Sequence, residues 1–167
     1  MPALTAQAMA AIRSLQLSKA GLRMALSAGL IGLAVSAHAA EFRSVTSAAV
    51  LYDAPSRQAA KIFVAPRGMP VEVVSSAGLW VKVRDVSGDF AWIERASLGD
   101  RRFLVAATLA TVRQQPQDMS DEIIQVERGV LLELADPAGT QANAQWIRVR
   151  HRDGALGWVR ANEVWGW

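Results

Sequence analysis

Two pairs of tryptophans recur at one spacing, Trp80 with Trp92 and Trp146 with Trp158, twelve residues apart in each case. An indole offers a broad apolar face and one N–H donor, which suits a peptide or the face of a sugar. Around each first tryptophan the residues alternate, as in Trp80-Val-Lys-Val-Arg84 and Trp146-Ile-Arg-Val-Arg150. Side chains two apart share a face of a strand, so a hairpin without a bulge turns Val81, Val83, Ala91 and Ile93 one way. Trp80, Lys82, Arg84, Phe90 and Trp92 then point the other way. A turn centred on Val86 sets Trp80 opposite Trp92, and one centred on Arg152 sets Trp146 opposite Trp158. Each aromatic pair is then either a ligand shelf or a packed pair. In the packed case the loop around Pro55 or Pro116 covers it, and Lys82, Arg148 or Arg150 lies on the indoles. Tyr52, the single tyrosine, stands beside Asp53 in the first-loop region, where its plain reading is a tyrosine at a strand end. The second copy has Arg113 at the matching place, which argues against two equal sites.

Other chemistry finds few residues. Cysteine is absent, which excludes thiolate metal sites, disulfides and thiol nucleophiles. Of two histidines, His151 falls in the basic run Arg148-Val-Arg-His-Arg152 at an expected hairpin tip, where a solvated ring is expected. Asp118, Asp121 and Glu122 surround Ser120 but lack the glycine and spacing of a calcium loop. Neither a glycine-rich phosphate loop nor a serine elbow occurs. These residues point away from an enzyme and call for no cofactor and no metal.

The elements that position the tryptophans are written twice. Trp80 to Arg84, Gly88, Trp92 and Ile93 recur with an offset of 66 as Trp146 to Arg150, Gly154, Trp158 and Val159. Upstream, Pro55, Gly68, Val71 and Val73 recur with an offset of 61 as Pro116, Gly129, Leu132 and Leu134. The additional residues fall in a loop over 136–143 of the second copy. Short alternating runs between Gly, Pro, Asp and Ser predict antiparallel strands. The helical candidates, 94–99 and 118–126, are short. About five strands in each copy of some sixty residues close most economically into a small barrel. The expected fold is therefore all-β, with barrels over 42–99 and 103–167 packed against one another.

The formal charge of +3 is misleading as a guide to partners. The surplus cations Arg13, Lys19 and Arg23 all precede residue 40, and beyond it fifteen basic residues face fifteen acidic ones. A basic start, the apolar run Met24 to Ser36 and the small-x-small end Ala37-His38-Ala39 have the three parts of a secretory signal. The competing reading is an uncleaved anchor, since 24–40 is near the shortest length that spans a bilayer. Cleavage after Ala39 is the expectation, leaving a periplasmic or secreted chain with no stable membrane span. The neutral remainder gives no basis for binding nucleic acid, despite tryptophans near Arg148 to Arg152.

The segments Arg67-Gly-Met-Pro-Val-Glu-Val-Val74, Trp80-Val-Lys-Val-Arg-Asp85, Trp92-Ile93, Leu98-Gly-Asp-Arg-Arg102 and Glu163-Val-Trp-Gly166 together resemble the bacterial SH3-like domain family. The likeness is to its tandem two-domain form in exported proteins of Gram-negative bacteria, and it covers most of 42–167. Two departures stand out. The usual Asn-Leu-Arg-x-Gly-Pro segment is replaced by Val50-Leu-Tyr-Asp-Ala-Pro55 and Thr111-Val-Arg-Gln-Gln-Pro116, and Ala91 stands where the second copy keeps Gly157. The resemblance implies a non-enzymatic binding module for cell-wall peptide, peptidoglycan or an envelope protein, with Tyr52, Trp80, Trp92, Trp146 and Trp158 as candidate contacts. The alternative is an assembly partner whose tryptophan faces are buried between domains or subunits.

Overall fold

The computed structural model describes residues 40–141 and 143–167, and the expected leader 1–39 lies outside them. The described chain is almost entirely β. The first repeat comprises β1 (Glu41–Val45), β2 (Ala49–Tyr52), β3 (Lys61–Ala65), β4 (Pro70–Ala77), β5 (Trp80–Arg84), β6 (Phe90–Glu94) and β7 (Leu98–Gly99). The second comprises β8 (Phe103–Ala106), β9 (Ala110–Arg113), β10 (Glu122–Val126), β11 (Leu131–Leu134), β12 (Trp146–Arg150), β13 (Leu156–Arg160) and β14 (Val164–Trp165). Of the two helical candidates, one contains only a single 3-10 turn, Arg95–Ser97, and the other is largely strand β10. Ile123 and Ile124 explain the second outcome, since β-branched side chains fit a pleated surface better than a helix.

Each repeat is one seven-stranded sheet with the same order, β3-β2-β6-β5-β4-β1-β7 and β10-β9-β13-β12-β11-β8-β14. The ladders curl without closing, contrary to the expected barrel, and β3 and β7 remain as edges. The terminal strand β7 has two residues, too short to carry a ladder onward. At the other edge, Ile62, Phe63 and Val64 are all about half exposed on β3.

The alternation in sequence becomes two cores. Val71, Val81, Val83, Ala91 and Ile93 are buried in the first, and Leu132, Ile147, Val149 and Val159 in the second. These are largely the same repeat positions, so one pattern of inward residues has been used twice. Side chains of this size contribute roughly 1.5–3 kcal/mol each when fully buried.

The repeats meet through β1, β4, β8 and β14. Ser44 is buried, and its Oγ accepts a hydrogen bond from the Phe103 backbone N–H at 2.9 Å. Phe42 meets Trp165 edge to face at 5.0 Å between centroids, and the Arg102 guanidinium lies over Phe42. Arg102 also donates to the Gly166 carbonyl at 3.1 Å, and burial pushes its pKa below the ordinary arginine value. Gly166 has φ +106, and a Cβ there would stand 2.7 Å from Pro70, so only glycine lets the second repeat's end lie against the first. The tryptophan in this contact is Trp165, whereas the four candidate tryptophans lie on β5, β6, β12 and β13.

Candidate functional site

The hairpin of β5 and β6 is the frame of the first aromatic face. Its turn differs from expectation by one position: Trp80 stands opposite Glu94 and Lys82 opposite Trp92. The centre is Ser87, because Asp85 and Asp89 are joined by a 3.0 Å backbone hydrogen bond and Gly88 takes φ +92. Three loop residues ending in a left-handed glycine are a favoured hairpin connection. Asp85 Oδ1 stabilises the turn by accepting from the N–H groups of Ser87 and Asp89 at 2.8 and 3.0 Å. The second hairpin repeats the register, with Trp146 opposite Arg160 and Arg148 opposite Trp158. Strand pairing has slipped by two residues relative to expectation, so every side chain keeps its face. Val81, Val83, Ala91 and Ile93 are buried while Trp80, Lys82 and Trp92 are half-buried. The tryptophans of each pair are diagonal neighbours instead of direct partners.

Tyr52 is 8% exposed and stands at a strand end, as in its plain reading, and not open in the loop. It ends β2, pairs with Trp92 across the sheet, and meets Trp80 edge to face at 5.4 Å and 89°. Tyr52, Trp80 and Trp92 thus form one aromatic cluster drawn from three strands. The loop after Tyr52 is tied down beside it: Asp53 Oδ1 accepts from the Ala60 N–H at 3.0 Å, and Arg57 donates two hydrogen bonds to Glu94. The Arg57 guanidinium holds the Glu94 carboxyl below the ordinary carboxylate range. Lys82 lies over Phe90 instead of an indole.

The second face is built differently. Arg113 replaces Tyr52, pairs with Trp158 across the sheet, and donates to the Ser120 carbonyl and to Glu122. The cation on Trp146 is Arg160, 4.9 Å from the ring, and not Arg148 or Arg150. Arg160 in turn pairs with Asp118. Asp118 and Glu122 are therefore committed to arginines, and Ser120 Oγ accepts from the Gln115 N–H at 2.9 Å. Among the described residues no group of three or more His, Asp or Glu side chains is placed to hold a metal ion.

His151 overturns the expectation of a solvated ring. It is buried at the position that Asp85 holds in the first hairpin, with Nδ1 3.2 Å from Asp153 Oδ2. It lines a groove between the repeats together with Arg67, Phe103 and Arg150. No pattern within a single repeat marks that groove. Its signal is the contrast between copies, where Asp85-Val86 becomes His151-Arg152.

The model of the bacterial SH3 domain matches the chain twice, over residues 45–100 and 106–166. The chain belongs to the bacterial SH3 domain family. The two matches correspond to the two sheets, so each SH3 domain carries one aromatic face. No curated protein matches the sequence significantly. Similar solved structures include NlpC1 and NlpC2 from Trichomonas vaginalis, each 13% identical, with TM-scores of 0.36 and 0.33. They cover 77% and 76% of this chain and 46% and 48% of their own. An NlpC/P60 family protein from Bacillus cereus is 16% identical with a TM-score of 0.33, covering 75% of this chain and 56% of its own. The tandem SH3 chain spans about half the length of these proteins. Among the described residues of both SH3 domains, no helix is long and apolar enough to cross a membrane.

Proposed function

We propose that this tandem SH3 protein is an exported, non-enzymatic binding module of the cell envelope that recognises cell-wall peptide through the aromatic face of its first domain. The observation that carries this reading is the Tyr52, Trp80 and Trp92 cluster. Tyr52 is buried and fixes Trp80 edge-on, while both indoles stay half-buried and keep part of their area for a ligand. Rigid aromatic groups of this kind give contact area at little entropic cost. In the second domain Arg160 covers Trp146 and Arg113 replaces the tyrosine, so the faces are unequal and the first is the site.

The test is co-sedimentation of purified protein with isolated peptidoglycan. Wild-type protein is expected in the pellet and Trp92→Ala in the supernatant, with Trp92→Ala keeping the wild-type far-ultraviolet circular dichroism. Wild-type protein remaining in the supernatant, or a folded Trp92→Ala that pellets equally, contradicts the reading.

A second reading, an assembly partner that binds an envelope protein, is favoured by β3. Its Ile62, Phe63 and Val64 are exposed on an edge strand, a surface suited to pairing with another chain. Loss of partner capture by Phe63→Lys, with peptidoglycan binding absent in wild type, would favour this second reading.

A further inference from the structure

The groove where the two SH3 domains meet has a volume of about 650 Å³, within the range of ligand sites. Phe103, Val130 and Leu131 give it an apolar floor, and Arg67, Arg101, Arg150 and Arg152 stand around it. The chain beyond residue 40 is neutral as a whole, so this concentration of guanidinium groups is a local feature. Comparison of the domains shows how it arises. In the first, Arg84 pairs with Glu72 across the sheet at 2.6 Å. In the second, Arg150 stands opposite Glu133 in the same register, yet the Glu133 carboxylate is held by Arg101 through two hydrogen bonds of 2.8 Å. Arg101 comes from the join between the domains and makes both hydrogen bonds to Glu133, leaving Arg150 to act on that carboxylate through its charge alone. Among the described residues neither Arg150 nor Arg67 has an ion-pair partner, and Arg152 has only Asp153 at 3.7 Å. The hairpin tip moves the same way, since Asp85 and Asp89 of the first domain correspond to His151 and Ala155.

We propose that this groove binds a short acidic peptide segment, its carboxylates on Arg67 and Arg150 and its apolar side chains on Phe103 and Leu131. Planar guanidinium forks match carboxylates bidentately, and Arg101 on Glu133 shows that geometry already inside the groove. The apolar floor favours a peptide that alternates acidic and apolar residues over a bare anion. This site is separate from the aromatic face, and each can fail without the other.

The experiment is fluorescence anisotropy of purified protein with a labelled Glu-Leu-Glu-Leu-Glu peptide at low salt, with Gln-Leu-Gln-Leu-Gln as neutral control. Binding of the acidic peptide alone is expected, weakened about tenfold by Arg150→Gln or Arg67→Gln, the loss of one charge-assisted hydrogen bond. Arg150→Lys is expected to fall between, and Trp92→Ala to bind as wild type. Thermal unfolding of each variant establishes that it is folded, and both arginines are exposed. Equal binding of the neutral peptide, no effect of either glutamine variant, or binding to phosphatidylglycerol vesicles without binding to the peptide would overturn the proposal.

Discussion

Arg57 holds Glu94 with two hydrogen bonds of 2.5 and 2.8 Å, and the same two positions of the second domain, Asp118 and Arg160, are paired with the signs exchanged. One backbone arrangement thus accepts either polarity. Both pairs fasten the loop before the third strand to the end of the sixth, beside the first tryptophan of each hairpin. Exposed pairs contribute little, so Arg57→Glu alone is expected to lower Tm slightly through repulsion with Glu94. Arg57→Glu with Glu94→Arg should restore it. A double-mutant cycle followed by thermal unfolding measures this, and an additive loss would show that polarity is fixed.

Tyr52 is a packing residue as well as part of the aromatic face. Its removal strips Trp80 of its edge contact and opens the end of β2, so Tyr52→Ala is expected to cost about 3 kcal/mol, as for other large-to-small core changes. Tyr52→Phe keeps the ring and should stay within about 1 kcal/mol of wild type. Urea unfolding of the two variants provides the comparison.

Ala91 and Gly157 are equivalent positions that are not interchangeable. A Cβ on Gly157 would lie 2.5 Å from the Arg113 carbonyl oxygen and 2.8 Å from Ile123 Cδ1. Ile123 therefore folds over a glycine in the second domain and is 39% exposed, whereas Ile62, its counterpart beside Ala91, is 55% exposed. Gly157→Ala should destabilise by about 1–3 kcal/mol, the usual effect of overpacking. Ala91→Gly should cost only about 0.5–1 kcal/mol. Chemical denaturation distinguishes them, and a neutral Gly157→Ala would contradict the packing described.

Glu133 ties the join to the second domain, and Arg101 holds its carboxyl below the ordinary range. A carboxyl with a lowered folded pKa stabilises the fold above its unfolded value, about 4.3, and loses that contribution as pH falls through the folded value. Tm of wild type should therefore drop more as pH falls from neutral to below about 4.3, the unfolded value, than Tm of Glu133→Gln. Arg101→Gln should flatten the same acid limb. A pH series of melting curves reads both.

The repeat carried most of what was legible in the sequence. Val81 with Ile147, Val83 with Val149 and Ile93 with Val159 occupy the same inward sites because alternation has a period of two and the offset is constant. Partner identity across the hairpin was not legible in that way. Trp80 meets Glu94 because Gly88 must sit at the left-handed end of its turn, a requirement that alternation does not encode. The burial of Tyr52 was hidden because it depends on Trp80, a residue distant in sequence. The burial of His151 was hidden because a basic run reads as solvated, while its turn position is inherited from Asp85. Ser44 gave no signal alone, since its partner Phe103 belongs to the other repeat.

The central claim is that the first aromatic face contacts cell-wall peptide. Nitrogen-15 correlation spectra resolve tryptophan indole N–H groups, which substitution of each of the six tryptophans would assign. On titration with soluble peptidoglycan fragments, the indoles of Trp80 and Trp92 are expected to shift progressively while Trp146 and Trp158 stay in place. Shifts confined to other indoles, or no indole shift at saturating fragment, would contradict it.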